Sequence, residues 1–238
     1  MNSIQIIKSQ LRHVINNPKD YGLISAPYFL VTAFSDPFFG LPIWLMSILS
    51  FFVTCFLVVS THRLVIINDR DFFNFNKKKI ISYLKYIYSG FIFFIFIFIP
   101  VFSIVVFDNL ISNPYTSPFS SEIGVTLIVL TFFVGSILAL YIIGAYSLNL
   151  PKAAIGESLK FLKMRKESKG FRINIILQFI AIVFPLWFLV YVNIEFNSNL
   201  FFQIFISALL LTFSYGLTIS CISKTYIIFS EKNNKAVE

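Results

Sequence analysis

Residues 87–107 read IYSGFIFFIFIFIPVFSIVVF, an apolar run without a single Asp, Glu, Lys or Arg. Crossing about 30 Å of hydrocarbon takes about 20 such residues in a helix. The run is too long for the core helix of a small soluble domain, and its residues do not alternate as barrel strands do. A helix is therefore expected, because backbone exposed to lipid must bond within its own segment. Four further stretches pass the same test: residues 41–60, 123–147, 173–192 and 200–222, again without a charged side chain.

The composition agrees. Of 238 residues, 57% are apolar and 13% charged, with 31 phenylalanines. Soluble domains carry about 25% charged residues, so this chain has about half the charge needed to wet a surface. A soluble globule, a disordered chain and a disulfide scaffold are excluded. Cys55 and Cys221 each sit inside an apolar run, where a thiol serves as a small hydrophobe.

A sixth run, residues 21–39, is harder to read: its cleanest portion, Tyr21 to Phe34, is short, contains Pro27, and is followed by Asp36 and Pro37. The basic residues decide whether it crosses. Lys8, Arg12 and Lys19 precede it. Arg63, Arg70, Lys77, Lys78, Lys79 and Lys85 separate the second and third spans. Lys152, Lys160, Lys163, Arg165, Lys166, Lys169 and Arg172 separate the fourth and fifth, and Lys224, Lys232 and Lys235 follow the last. These are all 19 Lys and Arg residues; the other connections hold only Asp36, Asp108, Glu122 and Glu195. Short loops rich in Lys and Arg face the cytoplasm. Six crossings put every cation on that side, whereas five would strand Lys8, Arg12 and Lys19 outside. The expected fold is thus an all-α membrane bundle forming one domain over residues 1–238, with six transmembrane helices and both termini cytoplasmic.

Three amphipathic segments are expected on the cytoplasmic face. Within residues 1–20, Ile4, Ile7, Leu11, Val14 and Ile15 form a helical stripe suited to the inner leaflet. The start lacks the layout of a secretory signal. Asn149-Leu150-Pro151 opens a second helix, with Ile155, Leu159, Leu162 and Met164 as its apolar side. Lys77-Lys78-Lys79 introduces a third, with Ile80, Ile81 and Leu84 as its apolar side. Lys78 to Pro100 and Lys163 to Pro185 are both 22 positions apart, which suggests a hairpin repeated in parallel orientation.

For function, the formal charge of +8 points to lipid phosphates or a partner membrane protein. Nucleic acid is not expected, because the cations lie between membrane spans. Arg63, Lys77, Lys78, Lys79, Lys163, Arg165 and Lys166 are the candidate contacts. Gly135, Ala139 and Gly144 are candidate packing positions, since small residues let helices approach closely in lipid. His62 is expected to cap the end of the second span, with Asp69 or Asp71 pairing with Arg63.

No catalytic, cofactor-binding or metal-binding constellation is found, and a scaffold or accessory role is expected. An enzyme would need a cleft gathering His62, Arg63, Asp69 and Asp71. The alternative is a transporter of small molecules or lipids, with its pathway near Pro100 and Pro185. Polar groups close to them include Ser103, Gln178, Ser207, Thr212, Ser214, Thr218 and Ser220.

The His62-Arg63 pair and the stretch Ser147-Leu148-Asn149-Leu150-Pro151-Lys152-Ala153-Ala154 carry a resemblance. In both features the chain resembles six-helix bacterial inner-membrane proteins similar to the membrane domain that accompanies some glycerophosphodiester phosphodiesterases. The resemblance implies a layout of six helices in a bacterial inner membrane and no established activity. No polar stretch here is long enough to hold the phosphodiesterase domain itself.

Overall fold

The computed structural model describes the backbone of residues 2–34, 42–112, 121–157, 161–196 and 199–235. Among these residues the regular structure is all helical. The helices are α1 (Ser3–Asn16), α2 (Pro18–Phe34), α3 (Ile43–Ile67), α4 (Lys77–Ser112) and α5 (Ser121–Tyr146). Next come α6 (Asn149–Ala154), α7 (Phe161–Glu167), α8 (Arg172–Phe196) and α9 (Leu200–Lys235), with a 3-10 turn at Ser168–Gly170.

Three described helices are long and apolar enough to cross a membrane: α3 from Trp44, α8, and α9 as far as Asn233. Their exteriors agree with that. Phe51, Phe52, Phe184, Phe188 and Phe201 are exposed, while Ser60, Thr61, His62, Gln178, Ser220, Ser223 and Thr225 are buried. Outward rings and inward hydroxyls are the inverse of a water-soluble surface. The coarse expectation of a helical membrane protein therefore holds.

α8 and α9 form an antiparallel hairpin, joined on one side by α2 and α3 and on the other by α5, which pairs with α4. The short helix α6 packs against α3, α4 and α9 together. Polar ties join the layers. Gln178 of α8 and Thr225 of α9 bond each other at 3.1 Å, and the Tyr21 hydroxyl meets Ser220 at 3.0 Å.

Three local expectations change. α1 is helical, capped by a reciprocal bond pair between Asn2 and Gln5. However, Ile6 and not Ile4 is its buried anchor, packing with Ile7, Leu11 and Val14 against Ile182, Leu217 and Cys221; Ile4 and Ile15 are exposed. Ile7, Leu11 and Val14 of the expected stripe stay on the packed side, whereas Ile4 and Ile15 leave it, because α1 packs on α8 and α9, which select a face that spacing alone does not. The second amphipathic segment is two short helices rather than one. α6 ends before Gly156, whose φ of +84° does not continue a helix, and α7 starts at Phe161. Residues 158–160, including Leu159, lie outside the described residues.

The third segment is turned over. Ile80, Ile81 and Leu84 are exposed, and Lys79 and Ser82 are the buried side of the same turns. α4 also runs unbroken from Lys77, while its proposed counterpart is divided among α7, the 3-10 turn and α8. The two basic segments therefore differ in build. Asp36 and Pro37 lie outside the described residues.

Of the small-residue positions, Gly135 is buried and Ala139 half-buried. Gly144 is decisive. A Cβ placed there would stand 3.0 Å from Ile176 Cδ1 and 3.2 Å from both Cβ and the carbonyl oxygen of Arg172. Gly144→Ala is expected to destabilise the α5–α8 contact by about 1–3 kcal/mol, the usual cost of overpacking. Gly90→Ala meets nothing within 4 Å and is expected to be neutral or stabilising by up to about 1 kcal/mol. Melting of both variants in mild detergent checks the contrast; an unchanged midpoint for Gly144→Ala would refute the close approach.

Candidate functional site: a cation cluster where the connections meet

α3 continues beyond the predicted span and ends at Asn68, which adopts the left-handed conformation (φ +52°) that asparagine tolerates better than most residues. This reversal brings Asp69 back beside Arg63. The guanidinium Nε donates to Asp69 Oδ2 at 2.8 Å, while Nη1 reaches Ser82 of α4 at 3.2 Å and the Ala154 carbonyl of α6 at 3.3 Å. One arginine thus ties together the 68–76 connection, the start of α4 and the end of α6.

Lys79 completes the cluster. Its side chain is 3% exposed, its ammonium stands 3.4 Å from Asp69 Oδ2, and it also donates to the Asp71 carbonyl. Burial alone would push the Asp69 carboxyl up. The bonds from Arg63 and the Asp71 N–H, with the charges of Lys79 and Arg63, outweigh that and hold it below the usual carboxylate range. A single carboxylate therefore serves two cations.

Gly156 lies beside the same cluster. Its carbonyl accepts from Lys85, and a Cβ there would stand 3.0 Å from Ser82 Oγ, so glycine suits both the turn and the close approach. Next to it, Glu157 accepts from Tyr226 of α9 at 3.1 Å. Aromatic side chains of the connection cover the ends of the helices. Phe72 is buried with Tyr21, Ile24, Leu57 and Leu64, Phe73 stacks on Phe56, and Phe75 sits beside Tyr83.

The candidate contacts separate into two groups. Arg63 and Lys79 point inward and are taken up by Asp69, so they are structural rather than free surface cations. Lys77, Lys78, Lys163, Arg165 and Lys166 are exposed. Lys163 pairs with Glu167 at 3.3 Å, and Arg165 bonds the Tyr141 hydroxyl at 3.2 Å.

His62 does not cap α3. It is buried, and its Nδ1 lies 2.6 Å from Ser223 Oγ of α9. Of the four residues an enzymatic cleft would gather, Arg63 and Asp69 meet, His62 bonds α9, and the exposed Asp71 carboxylate accepts from Asn74. Asn149, expected from sequence only as a helix start, is 1% exposed, and its carboxamide makes no hydrogen bond among the described residues. Nothing in the local sequence signals that burial, which comes from the position of α6 between three other helices.

Four of the polar groups considered for a transport path are engaged in helix contacts or their own helix backbone, whereas the buried Thr218 hydroxyl makes no hydrogen bond among the described residues. Gln178 bonds Thr225, Ser207 accepts from Asn193 at 3.0 Å, and Thr212 and Ser220 donate to the carbonyls of Ala208 and Gly216. The side chains of Pro100 and Ser103 lie outside the described residues. No family model, curated protein or solved structure matches the chain.

Removing one partner from a buried ionic cluster costs about 3–5 kcal/mol, because a charge stays buried without compensation. Asp69→Asn is expected to cost somewhat less, about 2–3 kcal/mol, since Asp69 is 19% exposed. The folded carboxyl titrates below its unfolded value. Its stabilisation is therefore complete above the unfolded pKa and is lost as pH falls through the lower folded one. Melting between neutral pH and pH 3 should show wild type losing its advantage over Asp69→Asn only at the acid end; a constant difference would refute the assignment.

Proposed function

We propose that this chain is a six-span protein of a bacterial cytoplasmic membrane with both termini in the cytoplasm. Its role is a non-enzymatic scaffold or accessory subunit. Its basic face binds anionic lipid or a partner membrane protein, and not nucleic acid. The resemblance to six-helix inner-membrane proteins related to the phosphodiesterase-associated domain belongs to the same reading.

The observation that carries the reading is where the exposed cations lie. Lys77 and Lys78 stand at the start of α4, and Lys163, Arg165 and Lys166 on α7. The α4 start and the α6 end are tied by Arg63 and Lys85. α7 packs against the end of α5, where Arg165 bonds Tyr141. Exposed lysine and arginine near an anionic surface contribute about 1 kcal/mol each. The rigid interior beneath them, closed by Asp69, suits a platform.

Two outcomes follow. Cysteines introduced at residues 2 and 237, in a protein with Cys55 and Cys221 replaced by Ser, should react with a membrane-impermeant maleimide only after the cells are opened. Labelling of either in intact cells would refute the topology. Replacing Lys77, Lys78, Lys163, Arg165 and Lys166 together by Gln should strip most co-purifying anionic lipid, while leaving Lys79 intact preserves the fold. Unchanged retention of anionic lipid would refute the basic-face reading.

A further inference from the structure

Between α3 and α4 lie two apolar hollows of about 430 and 740 Å³, which share Cys55, Leu84 and Ile87 as walls. Both fall within the range of about 300–1,000 Å³ that ligand sites occupy. The smaller is walled by Phe52 and Phe56 of α3, Phe75 of the connection, and Ile80, Tyr83 and Leu84 of α4. Its rim at Phe75 and Ile80 adjoins Lys77 and Lys78, which are exposed and make no ion pair among the described residues.

The segment therefore presents three chemistries in order: two free cations at the rim, hydrocarbon and aromatic rings along the groove, and polar groups turned away into the protein. A soluble anion would use the cations but gain nothing from the groove. A slender hydrocarbon chain attached to an anionic head fits both features.

We propose that the groove between α3 and α4 holds an acyl chain of an anionic phospholipid, with the lipid phosphate held by Lys77 and Lys78. Charge complementarity selects the head, the apolar walls select the chain, and the start of α4 adds a favourable dipole for an anion. The inference rests on the membrane placement proposed above and assigns the basic face one particular lipid position.

The test uses the full chain with Phe75→Trp as reporter, after Trp44→Phe and Trp187→Phe. It is reconstituted in phosphatidylcholine vesicles containing an equal mole fraction of brominated phosphatidylglycerol or brominated phosphatidylcholine. Brominated phosphatidylglycerol should bind at the reporter about thirtyfold more strongly, the preference that two lysines supply near an anionic surface. Adding Lys77→Gln and Lys78→Gln should abolish the preference. Leu84→Trp provides a second reporter should Phe75→Trp perturb the connection. Trp187, exposed on α8, retained alone in the Trp44→Phe protein, should show no such preference.

Equal quenching by the two lipids at both groove reporters would overturn the proposal. Protection of both reporters from both lipids would also overturn it, in favour of a protein occupant. If the groove reporters show no preference while total anionic-lipid retention still depends on the exposed cations, only the groove assignment fails. If retention is also independent of those cations, the basic-face reading fails with it.

Discussion

The governing constraint is the absence of water around the long apolar helices α3, α8 and α9. Backbone amides in hydrocarbon must bond within their own segment, and apolar surface gains nothing by hiding from lipid. The described helices accordingly turn Phe184, Phe188 and Phe201 outward and keep Gln178, Ser220, Ser223 and Thr225 inside. Helix contacts then rest on close packing at Gly144 and on short polar ties such as Gln178–Thr225. Both are modest individually, so the bundle depends on many of them acting together.

The cation cluster resolves a conflict that this solvent creates. The connection between α3 and α4 is rich in positive charge, yet the same connection must also close the end of the bundle. Arg63 and Lys79 are drawn inward, and a buried cation is tolerable only with a carboxylate and further acceptors in place. Asp69 meets that need, helped by Ser82 and the carbonyls of Asp71 and Ala154. The remaining cations stay outside, where a negatively charged lipid surface or partner can reach them. Structural and surface charge thus divide within a single triplet: Lys79 inside, Lys77 and Lys78 outside.

Helix positions were legible to a useful degree, because long charge-free runs admit one kind of element in lipid. The helix of residues 3–16, the long α3, α8 and α9, and the Arg63–Asp69 pair all follow the sequence reading. The facing of helices was not. Residues Ile80, Ile81 and Leu84 form an apolar stripe that spacing alone would turn inward, yet all three are exposed. Lys79 and Ser82 gain partners inside, and that gain sets the rotation of α4. The same reasoning applies to Ile4 and Ile6 of α1, where contact with α8 and α9 selects the buried position.

Sequence alone determined the element type and the sorting of charge into particular connections, since both depend on local composition: how many consecutive apolar residues there are, and which gaps hold Lys or Arg. Tertiary structure decided which cations are free, where the chain breaks at Gly156, and how His62 and Asn149 come to be buried. Those outcomes depend on groups distant in the chain. Ser223 lies 161 positions from His62, and Ala154 lies 91 positions from Arg63. No local pattern encodes which distant donor or acceptor will arrive to satisfy a polar group removed from water.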